Sequence, residues 1–526
     1  LDLSASGNSD MIDPNRWQPL KILNFIDQSG NSIEGIPEFI SPEWGNVLPF
    51  SLKDEDLVIK VRDDGVYKVY YDPGIPPLLD TVNQGVMDSI FKRSFSMVSL
   101  WGSHLDNSDG VYWDISPKSI GNVQSYPENF LDFDGFYKFI NGGDIGIGYD
   151  INPISNQEYN EQIVPRGDYT RVLAEFWADG PDSEIPPGHW FVILNEVNDN
   201  DKLIKKFEGE GEELSNLEWD IKSYFLLGGT MHDVAISAWG IKGYYDYPRP
   251  ISVIRYLSDK GQSSFPDSLN YNPNGIKLID NYIELVGVND SLVGADLENL
   301  GKIKLYTWKG FSDQSILEKD IKGSGWVLAE DWWPYQRPSF VTPPFAGYVS
   351  GHSTYSRAAS VILEKITGSE YFPGGIGEFE ISKNNFLVFE KGPSVDMKLQ
   401  WAKYKDAADQ CSLSRIWGGI HPYIDDLPGR RIGNSIAINA FEYGKSLFQE
   451  SKIITKSIEK NLNNISVFPN PISSNNYLNI INESSNKIKE INIYNFLGRS
   501  ELKYDLDVNS NVNKLNLNGL PNGIYL

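Results

Sequence analysis

Hydrophobic spacing changes character twice along the 526-residue chain. Up to about residue 80, short alternating stretches such as 57–61 lie between Pro, Gly and Asp residues, which predicts a loop- and strand-rich segment that packs on the core. Beyond that point apolar residues recur every three or four positions, as at Met87, Phe91 and Phe95, which is the spacing of a helix. Alternation returns after about residue 465 and predicts a small antiparallel β domain.

The helical spacing also covers 169–178, 218–242, 353–367 and 432–448, whereas 251–340 is mixed and mostly loop-like. We therefore predict a mainly α fold followed by the β domain. The first residue is Leu and the last residues stop in mid-pattern, so we expect a processed or trimmed N-terminus and a truncated C-terminal domain. The predicted parts are an N-terminal segment 1–80, a helical domain 81–455 with a probable insertion 257–332, a linker 456–465 and a β domain 466–526.

Composition limits the classes of function. The chain is 40% hydrophobic and 13% aromatic, which is enough for a large core and excludes a disordered protein. Its net charge of -25 repels nucleic acid and anionic membranes, so neither is an expected partner. There is one cysteine, Cys411, so no intrachain disulfide can form. The sequence also lacks an apolar run long enough for a membrane span.

Three short clusters could carry chemistry. In the first, Lys242 and Arg249 are seven residues apart and Pro250 follows. Seven residues make nearly two helical turns, so we expect both cations on one helical face, although Pro248 bends the chain between them. Two long cationic side chains at this spacing can reach one anion.

The second cluster, Ser350, Gly351 and His352, lies directly before the predicted helix 353–367. A helix N-terminus offers unpaired N–H groups to an anion, and Gly351 lets that anion approach the backbone. The third cluster contains Arg415, whose planar guanidinium suits an oxyanion, and His421, whose imidazole can act as nucleophile or metal ligand. Each cluster alone is weak, because single cations and histidines usually have no special role.

In order, the clusters give K-x6-R-P, S-G-H and S-R-x5-H, which resembles the signature shared by vanadium-dependent haloperoxidases and type 2 phosphatidic-acid-phosphatase-like acid phosphatases. Val349 stands where the signature has Pro. The resemblance continues through 177–180, 186–190 and 343–348 and covers roughly residues 80–450. It implies a helical-bundle domain, often of two four-helix bundles.

The resemblance also implies roles for individual residues. His421 would be the axial ligand of vanadium, and His352 the acid–base group, so that His352, His421 and Lys242 are the expected catalytic residues. Trp239 and Phe345 match aromatic residues that line the halide side in chloroperoxidase- and iodoperoxidase-like members. Asp179 would support Arg415 from behind, and Asp425 or Asp426 would orient nearby groups. The residues expected to bind vanadate are Lys242, Arg249, Ser350, Gly351, Arg415 and His421.

The activity implied is that of a peroxidase-class oxidoreductase. Vanadate would act as a Lewis acid, and hydrogen peroxide would oxidise halide to hypohalous acid. An organic acceptor is a further candidate partner. Two alternatives stay open. An acid phosphatase would use the same residues, with His421 attacking phosphorus. The other alternative is a secreted binding protein whose site has lost its activity. All seven residues of the three clusters are nevertheless present: Lys242, Arg249, Ser350, Gly351, His352, Arg415 and His421.

Two further features bear on this reading. Arg249 and Ser350 are unusually far apart for the family, which is why 257–332 is taken as an insertion; a second Arg-Pro at Arg337 has Glu330 where the lysine should be. Residues 467–471, 491–495 with Gly498, and 520–525 resemble the type IX secretion sorting domain of Bacteroidetes. That resemblance implies export to the cell surface or medium through the secretion machinery.

Overall fold

The computed structural model describes residues 7–22, 24–63, 65–143, 145–179, 183–310, 321–462, 465–469, 477–482, 487–495, 499–506, 510 and 512–520, with side chains up to 448 in the helix that ends at 462. It divides into two compact units, Leu1–Glu442 and Tyr443–Leu526. Of the residues used for the family resemblances, Gly180, Asn470, Pro471, Gly498 and 521–525 lie outside the described part.

Helices dominate the first unit. Within the described residues they are α1 Val86–Trp101, α2 Phe133–Phe136, α3 Arg166–Phe176, α4 Pro186–Asp199, α5 Asn216–Tyr245, α6 Pro250–Lys260, α7 Gly351–Thr367, α8 Tyr404–Trp417 and α9 Asp426–Leu462. Together with the small C-terminal sheets they confirm the predicted mainly α fold followed by a β domain.

Local chemistry accounts for the limits of the two helices nearest the site. Helix α5 begins after Ser215, whose side chain accepts a hydrogen bond from the Glu218 N–H. Helix α7 begins after Ser350, which caps it in the same way, and ends at Gly368 with φ of 68°. Only glycine fits there, because a Cβ would come within 2.3 Å of the Glu208 carbonyl oxygen.

The stretch 251–340, predicted to be mostly loop-like, contains helix α6 and a three-stranded sheet. Pro250 occupies the first turn of α6, where its missing N–H costs nothing, and Ile251, Ile254 and Leu257 bury one face. At 11 residues this helix is too short for spacing alone to distinguish it from a loop. Helix α9 extends to Leu462 and so covers most of the segment predicted as a linker, whose Lys, Glu and Leu residues favour helix.

The strands are short and every named pair is antiparallel. In the first unit they are β1 Phe25–Ile26, β2 Ser32–Ile33, β3 Leu57–Arg62, β4 Gly65–Tyr70, β5 Tyr112–Asp114, β6 Ile163–Pro165, β7 Ile283–Leu285, β8 Ile303–Trp308, β9 Ser324–Leu328, β10 Gly377–Ile381 and β11 Met397–Trp401. In the second they are β12 Ile465–Phe468, β13 Tyr477–Asn482, β14 Glu490–Tyr494, β15 Ser500–Asp505 and β16 Val512–Asn516.

Helix α7 is central to the first unit, since it packs against α4, α5 and α8. These helices bury large aromatic side chains such as Trp177 and Trp190 together with the cations Arg249 and Arg415. A fully buried arginine lowers the stability of the fold unless its hydrogen-bond donors are paired. The groups around Arg249 and Arg415 therefore indicate the position of the candidate site. Among the described helices, none has both the length and the apolarity needed to cross a bilayer.

Candidate active site

Lys242 and Arg249 come from two helices rather than one. Lys242 lies in the last turn of α5, while Arg249 is the residue that precedes α6. Between them Asp246 adopts a left-handed conformation with φ of 51°, which ends α5. The expectation that both cations share one helical face is therefore wrong. The turn, not helical spacing, brings them together.

Arg249 is buried and held by backbone oxygens. Its Nε donates to the Phe345 carbonyl at 2.7 Å, and Nη1 donates to the Ile420 carbonyl at 3.0 Å. Nη1 also lies 3.1 Å from Nε2 of His421. The remaining nitrogen, Nη2, has no hydrogen-bond partner within the described part of the chain. Arg249 therefore has a free donor.

Arg415 repeats this arrangement at the end of α8. Its Nε donates to the Ser414 hydroxyl at 3.0 Å and Nη2 donates to the Ala174 carbonyl at 2.8 Å. Its Nη1 is buried and, among the residues that the structure describes, has no partner. Lys242 Nζ donates to the Ala346 and Gly347 carbonyls at 2.9 and 2.8 Å.

Lys242, Arg249 and Arg415 are all buried, and burial favours their uncharged forms. It lowers the pKa of Arg249 and of Arg415 to about 10, and it moves the pKa of Lys242 well below its usual range. The neighbouring charge of Arg249 lowers the pKa of Lys242 further. A bound anion would reverse each of these effects.

The second cluster forms the N-terminus of α7. The Ser350 hydroxyl accepts from the Ser353 N–H at 3.3 Å, and the Ser350 N–H donates to the Asp425 carbonyl at 2.9 Å. Gly351 follows in the first turn, and a Cβ added to it would lie 3.7 Å from the ring of Trp239. Gly351, at the N-terminus of α7, therefore lies next to this aromatic side chain.

His421 is oriented by Asp425. Nδ1 of His421 lies 2.8 Å from Oδ2 of Asp425, so the proton is on Nδ1 and the lone pair is on Nε2. Burial lowers the pKa of His421 well below its usual range, and Arg249 and Lys242 lower it further. Burial also raises the pKa of Asp425 to about 7. Asp426, the other candidate for this role, instead accepts from Arg430.

His352 is the second histidine of the cluster. Burial, followed by the charge of Arg415, shifts its pKa well below the usual value, while a hydrogen bond to the Trp177 backbone opposes the shift. Its Nε2 is buried and has no partner among the described residues. A neutral imidazole with a free nitrogen can accept a proton.

Four of the predicted cluster residues line a cavity of about 350 Å³. We call these four, Arg249, Gly351, His352 and His421, the floor of the cavity. Trp239 and Phe345 stand beside the floor with ring centroids 5.1 Å apart, and both line the cavity. Lys242, Ser350 and Arg415 lie behind the floor rather than on its surface.

Asp179 also lines this cavity, but its hydrogen bond comes from Gln28 rather than from Arg415. Burial raises the pKa of Asp179 to about 6, and the Gln28 hydrogen bond and the charge of Arg415 oppose that rise. Arg415 therefore acts on Asp179 through charge. The remaining carboxylate oxygen, Oδ1, is buried without a partner within the described residues.

Sequence reasoning missed part of the cavity. Gln28 and Trp44 line it from the N-terminal segment, where no motif marks them. Met231 and Ala235 line it from α5, and with Trp239 they repeat every four residues, a spacing that predicts one helical face. That spacing was the available signal.

The second Arg-Pro pair lies elsewhere. Arg337 lines a separate small cavity together with Glu175, and its guanidinium is 5.7 Å from the ring of Phe389. Glu330 pairs with Lys302 at 2.9 Å. These contacts agree with assigning the site to Lys242 and Arg249 instead.

Residues 222–450 match the family model described as the VCPO second helical-bundle domain. That range holds all seven residues of the three predicted clusters, which together we call the oxyanion cluster. Over that range, the chain is similar to the vanadium haloperoxidase family. Residues 466–526 match the secretion system C-terminal sorting domain, which confirms the predicted type IX signal and places the protein at the cell surface or outside the cell. No curated protein sequence matches the chain.

Among solved structures, the chain is similar to a bacterial vanadium-dependent chloroperoxidase, with a TM-score of 0.46, 15% identity, and coverage of 83% of this chain and 63% of that one. A bacterial vanadium-dependent iodoperoxidase is similar with a TM-score of 0.39 and 16% identity, over 82% of this chain and 61% of that one. A vanadate-dependent bromoperoxidase from Ascophyllum nodosum is similar with a TM-score of 0.36 and 14% identity, over 78% of this chain and 71% of that one. The chain thus spans about 63% of the length of the chloroperoxidase.

Proposed function

We propose that this protein is a vanadate-dependent haloperoxidase that uses hydrogen peroxide to oxidise a halide to hypohalous acid. The observation that carries the proposal is a pair of buried donors near His421, Arg249 Nη2 and Arg415 Nη1, which have no partner in the part of the chain that the structure describes. A buried charged donor without a partner costs roughly 1–3 kcal/mol or more, so a ligand that satisfies both is strongly favoured.

The donor set suits a tetrahedral oxyanion. Arg249 and Arg415 supply guanidinium nitrogens, Lys242 adds positive charge, and the first turn of α7 adds the Gly351 N–H and the Ser350 hydroxyl. His421 offers a neutral Nε2, because Asp425 holds the proton on Nδ1. These residues would hold vanadate, with His421 as its protein ligand and the others around its oxygens. Bound vanadate would supply Lewis acidity towards hydrogen peroxide.

His352 is the acid–base group in this proposal. His352 lines the cavity, its Nε2 has no partner among the described residues, and its lowered pKa keeps it neutral at physiological pH. It can therefore accept a proton from hydrogen peroxide at Nε2 and return one to the oxygen that leaves as water. Trp239 and Phe345 would exclude water from the side on which halide approaches.

Two assays test the proposal against a phosphatase that uses the same residues. Purified protein loaded with orthovanadate should oxidise bromide or iodide when hydrogen peroxide is added, and His421→Ala should abolish that activity. Lys302→Met, which removes a surface cation paired with Glu330, is the matched control and should remain active. Hydrolysis of p-nitrophenyl phosphate by vanadate-free protein, together with no halide oxidation, would replace the peroxidase proposal with the phosphatase. Neither activity would favour a binding protein.

A further inference from the structure

We propose that the 350 Å³ cavity binds an uncharged, apolar or aromatic organic molecule as the halogen acceptor, and that residues of the N-terminal segment select it. This inference rests on the proposed haloperoxidase function. It adds a substrate class and a source of specificity that the oxyanion cluster does not supply.

The first argument is size. A cavity needs roughly 10–15 Å³ of volume open to a water-sized probe to hold one water molecule, and a halide ion or hydrogen peroxide needs a space of that order. At about 350 Å³ this cavity is far larger and falls in the range of small-molecule sites. Oxidation of a halide alone therefore leaves most of the cavity without a role.

The second argument is the chemistry of the residues that line the cavity. The polar and charged residues of the lining are the floor together with Gln28, Ser41, Asp179 and His232. The rest is mainly apolar or aromatic, and it includes Trp44, Met231, Ala235, Trp239, Phe345 and Tyr355. Such a surface gains free energy by burying an apolar ligand, at about 25 cal/mol for each Å² removed from water. It does not favour a charged acceptor away from the floor.

The third argument is the way in which the N-terminal segment is held. We call Gln28, Ile40, Ser41 and Trp44 the N-terminal wall, because all four line the cavity. The Ile40 N–H donates to the Pro344 carbonyl at 3.0 Å, and Trp239 Nε1 donates to the Ile40 carbonyl at 3.2 Å. Gln28 donates to Asp179 at the opposite end of the wall.

A contact just beyond the wall completes this anchoring. Nε2 of His232 lies 2.9 Å from the Leu48 carbonyl oxygen, and the ring of His232 packs edge-on against Trp44. The wall is thus tied to α5 and to the segment before α7 by contacts within the protein itself. A preformed wall avoids the cost of ordering on binding and can impose shape on the acceptor. It lies outside the range matched by the family model, so it distinguishes this chain from what the shared domain specifies.

The reaction on a bound acceptor balances without another reagent. An electron-rich C–H group, a halide ion, hydrogen peroxide and one proton give a C–halogen bond and two molecules of water. The halide is oxidised by two electrons and the peroxide is reduced by two. The proton lost from the acceptor ends in water.

Binding is tested on the full chain without vanadate, using the neutral fluorescent probe N-phenyl-1-naphthylamine. Wild-type protein should bind it saturably, and Ala235→Phe, which projects a ring into the cavity, should weaken binding by about tenfold or more. Ala295→Phe, the same substitution at an exposed residue outside the cavity lining, is the matched control and should bind as wild type does. Melting temperature and orthovanadate binding of Ala235→Phe establish that it is folded. Saturable binding that Ala235→Phe leaves unchanged, or no binding by wild type, would overturn the inference.

Selection by the wall is tested with vanadate-loaded enzyme and 1-naphthol. The ratio of brominated isomers should differ from that given by reagent hypobromous acid, and Trp44→Ala should move the ratio towards the reagent value. An enzyme ratio equal to the reagent ratio would contradict the inference while leaving halide oxidation intact. Probe binding without any halide oxidation would instead sink the proposed function and leave the cavity as a binding site.

Discussion

Two sets of buried arginines in this protein differ in what surrounds them. Arg171 donates to Asp168 at 2.6 Å and to Glu390 at 2.9 Å. Arg430 likewise donates to Asp426 at 2.5 Å and to Asp409 at 2.8 Å. Arg249 and Arg415, by contrast, donate to carbonyls, a hydroxyl and an imidazole, and each keeps one free nitrogen within the described structure.

Ionisation follows the same division. Burial lowers the pKa of all four arginines. For Arg171, Tyr335 and the carboxylates of Glu390 and Asp168 outweigh burial, and for Arg430 the carboxylates of Asp426 and Asp409 do, so both pKa values are raised. For Arg249 and Arg415 burial prevails and lowers the pKa to about 10. Arg171 and Arg430 have their counter-charges built into the fold, so they act as structural pairs. Among the described residues, no carboxylate is in hydrogen-bond contact with Arg249 or Arg415, and an oxyanion would supply the missing charge. The difference in partners thus separates Arg171 and Arg430, which stabilise the fold, from Arg249 and Arg415, which are available to bind an anion.

The largest expected effect comes from breaking a paired cation. Arg430→Met leaves Asp409 and Asp426 buried with fewer partners, so the free energy of unfolding should fall by about 3–5 kcal/mol. Urea denaturation of vanadate-free protein measures it. A loss below about 1 kcal/mol would show that the pairing is not structural.

Glu175 is the acidic counterpart of the unpaired arginines, since its hydrogen bonds come from Tyr335 and the Val388 and Phe389 N–H groups. Burial raises its pKa from 4.5 to about 7. The folded protein therefore holds this proton more tightly than the unfolded chain does. Stability should fall by roughly 2–3 kcal/mol as pH rises from about 4.5 to 7 and then level off. Denaturation across this range should show a flatter profile for Glu175→Gln; parallel profiles would disprove the assignment.

Removing the group that orients His421 should act on binding rather than on folding. Asp425→Ala frees Nδ1 of His421, so orthovanadate affinity should drop by about 10–100-fold. Asp425→Asn keeps an acceptor and should recover part of the loss. Equilibrium dialysis provides the measurement, and equal affinity in all three proteins would rule out this role for Asp425.

The smallest effect is expected on the stability of an unpaired cation. Arg249→Met removes a buried charge that lacks a carboxylate, so the free energy of unfolding without ligand should change by less than about 1 kcal/mol or increase. The comparison with Arg430→Met uses the same substitution and the same urea assay. A loss as large as that of Arg430→Met would erase the distinction between the two sets.

The sequence predicts most of the oxyanion cluster because its members lie in short motifs around helix ends. The order of Ser350, Gly351 and His352 before an amphipathic helix was enough to predict a helix N-terminus, which the structure has. The path between Lys242 and Arg249 was not predictable from spacing, because the left-handed residue Asp246 ends the helix. The position of His421 relative to Asp425 depends on tertiary packing, although their spacing of four residues hints at it.

The N-terminal wall is the part of the cavity that could not be predicted from the sequence. Gln28 and Trp44 lie in a loop-rich segment without periodicity, and they reach the cavity through contacts with residues more than 150 positions away, such as Asp179 and His232. Long-range contacts of this kind leave no local pattern. Helix α6 was missed for a different reason, since its 11 residues give too few repeats.

Calorimetric titration of orthovanadate into wild-type protein and into Arg249→Met tests the central claim most directly, that buried arginines without carboxylates bind an oxyanion. The account predicts one site in each wild-type chain and at least about tenfold weaker binding by Arg249→Met, since a charge-assisted hydrogen bond contributes about 1.5–3 kcal/mol. Wild-type protein that binds no orthovanadate, or an Arg249→Met variant that binds it equally well, would contradict the account.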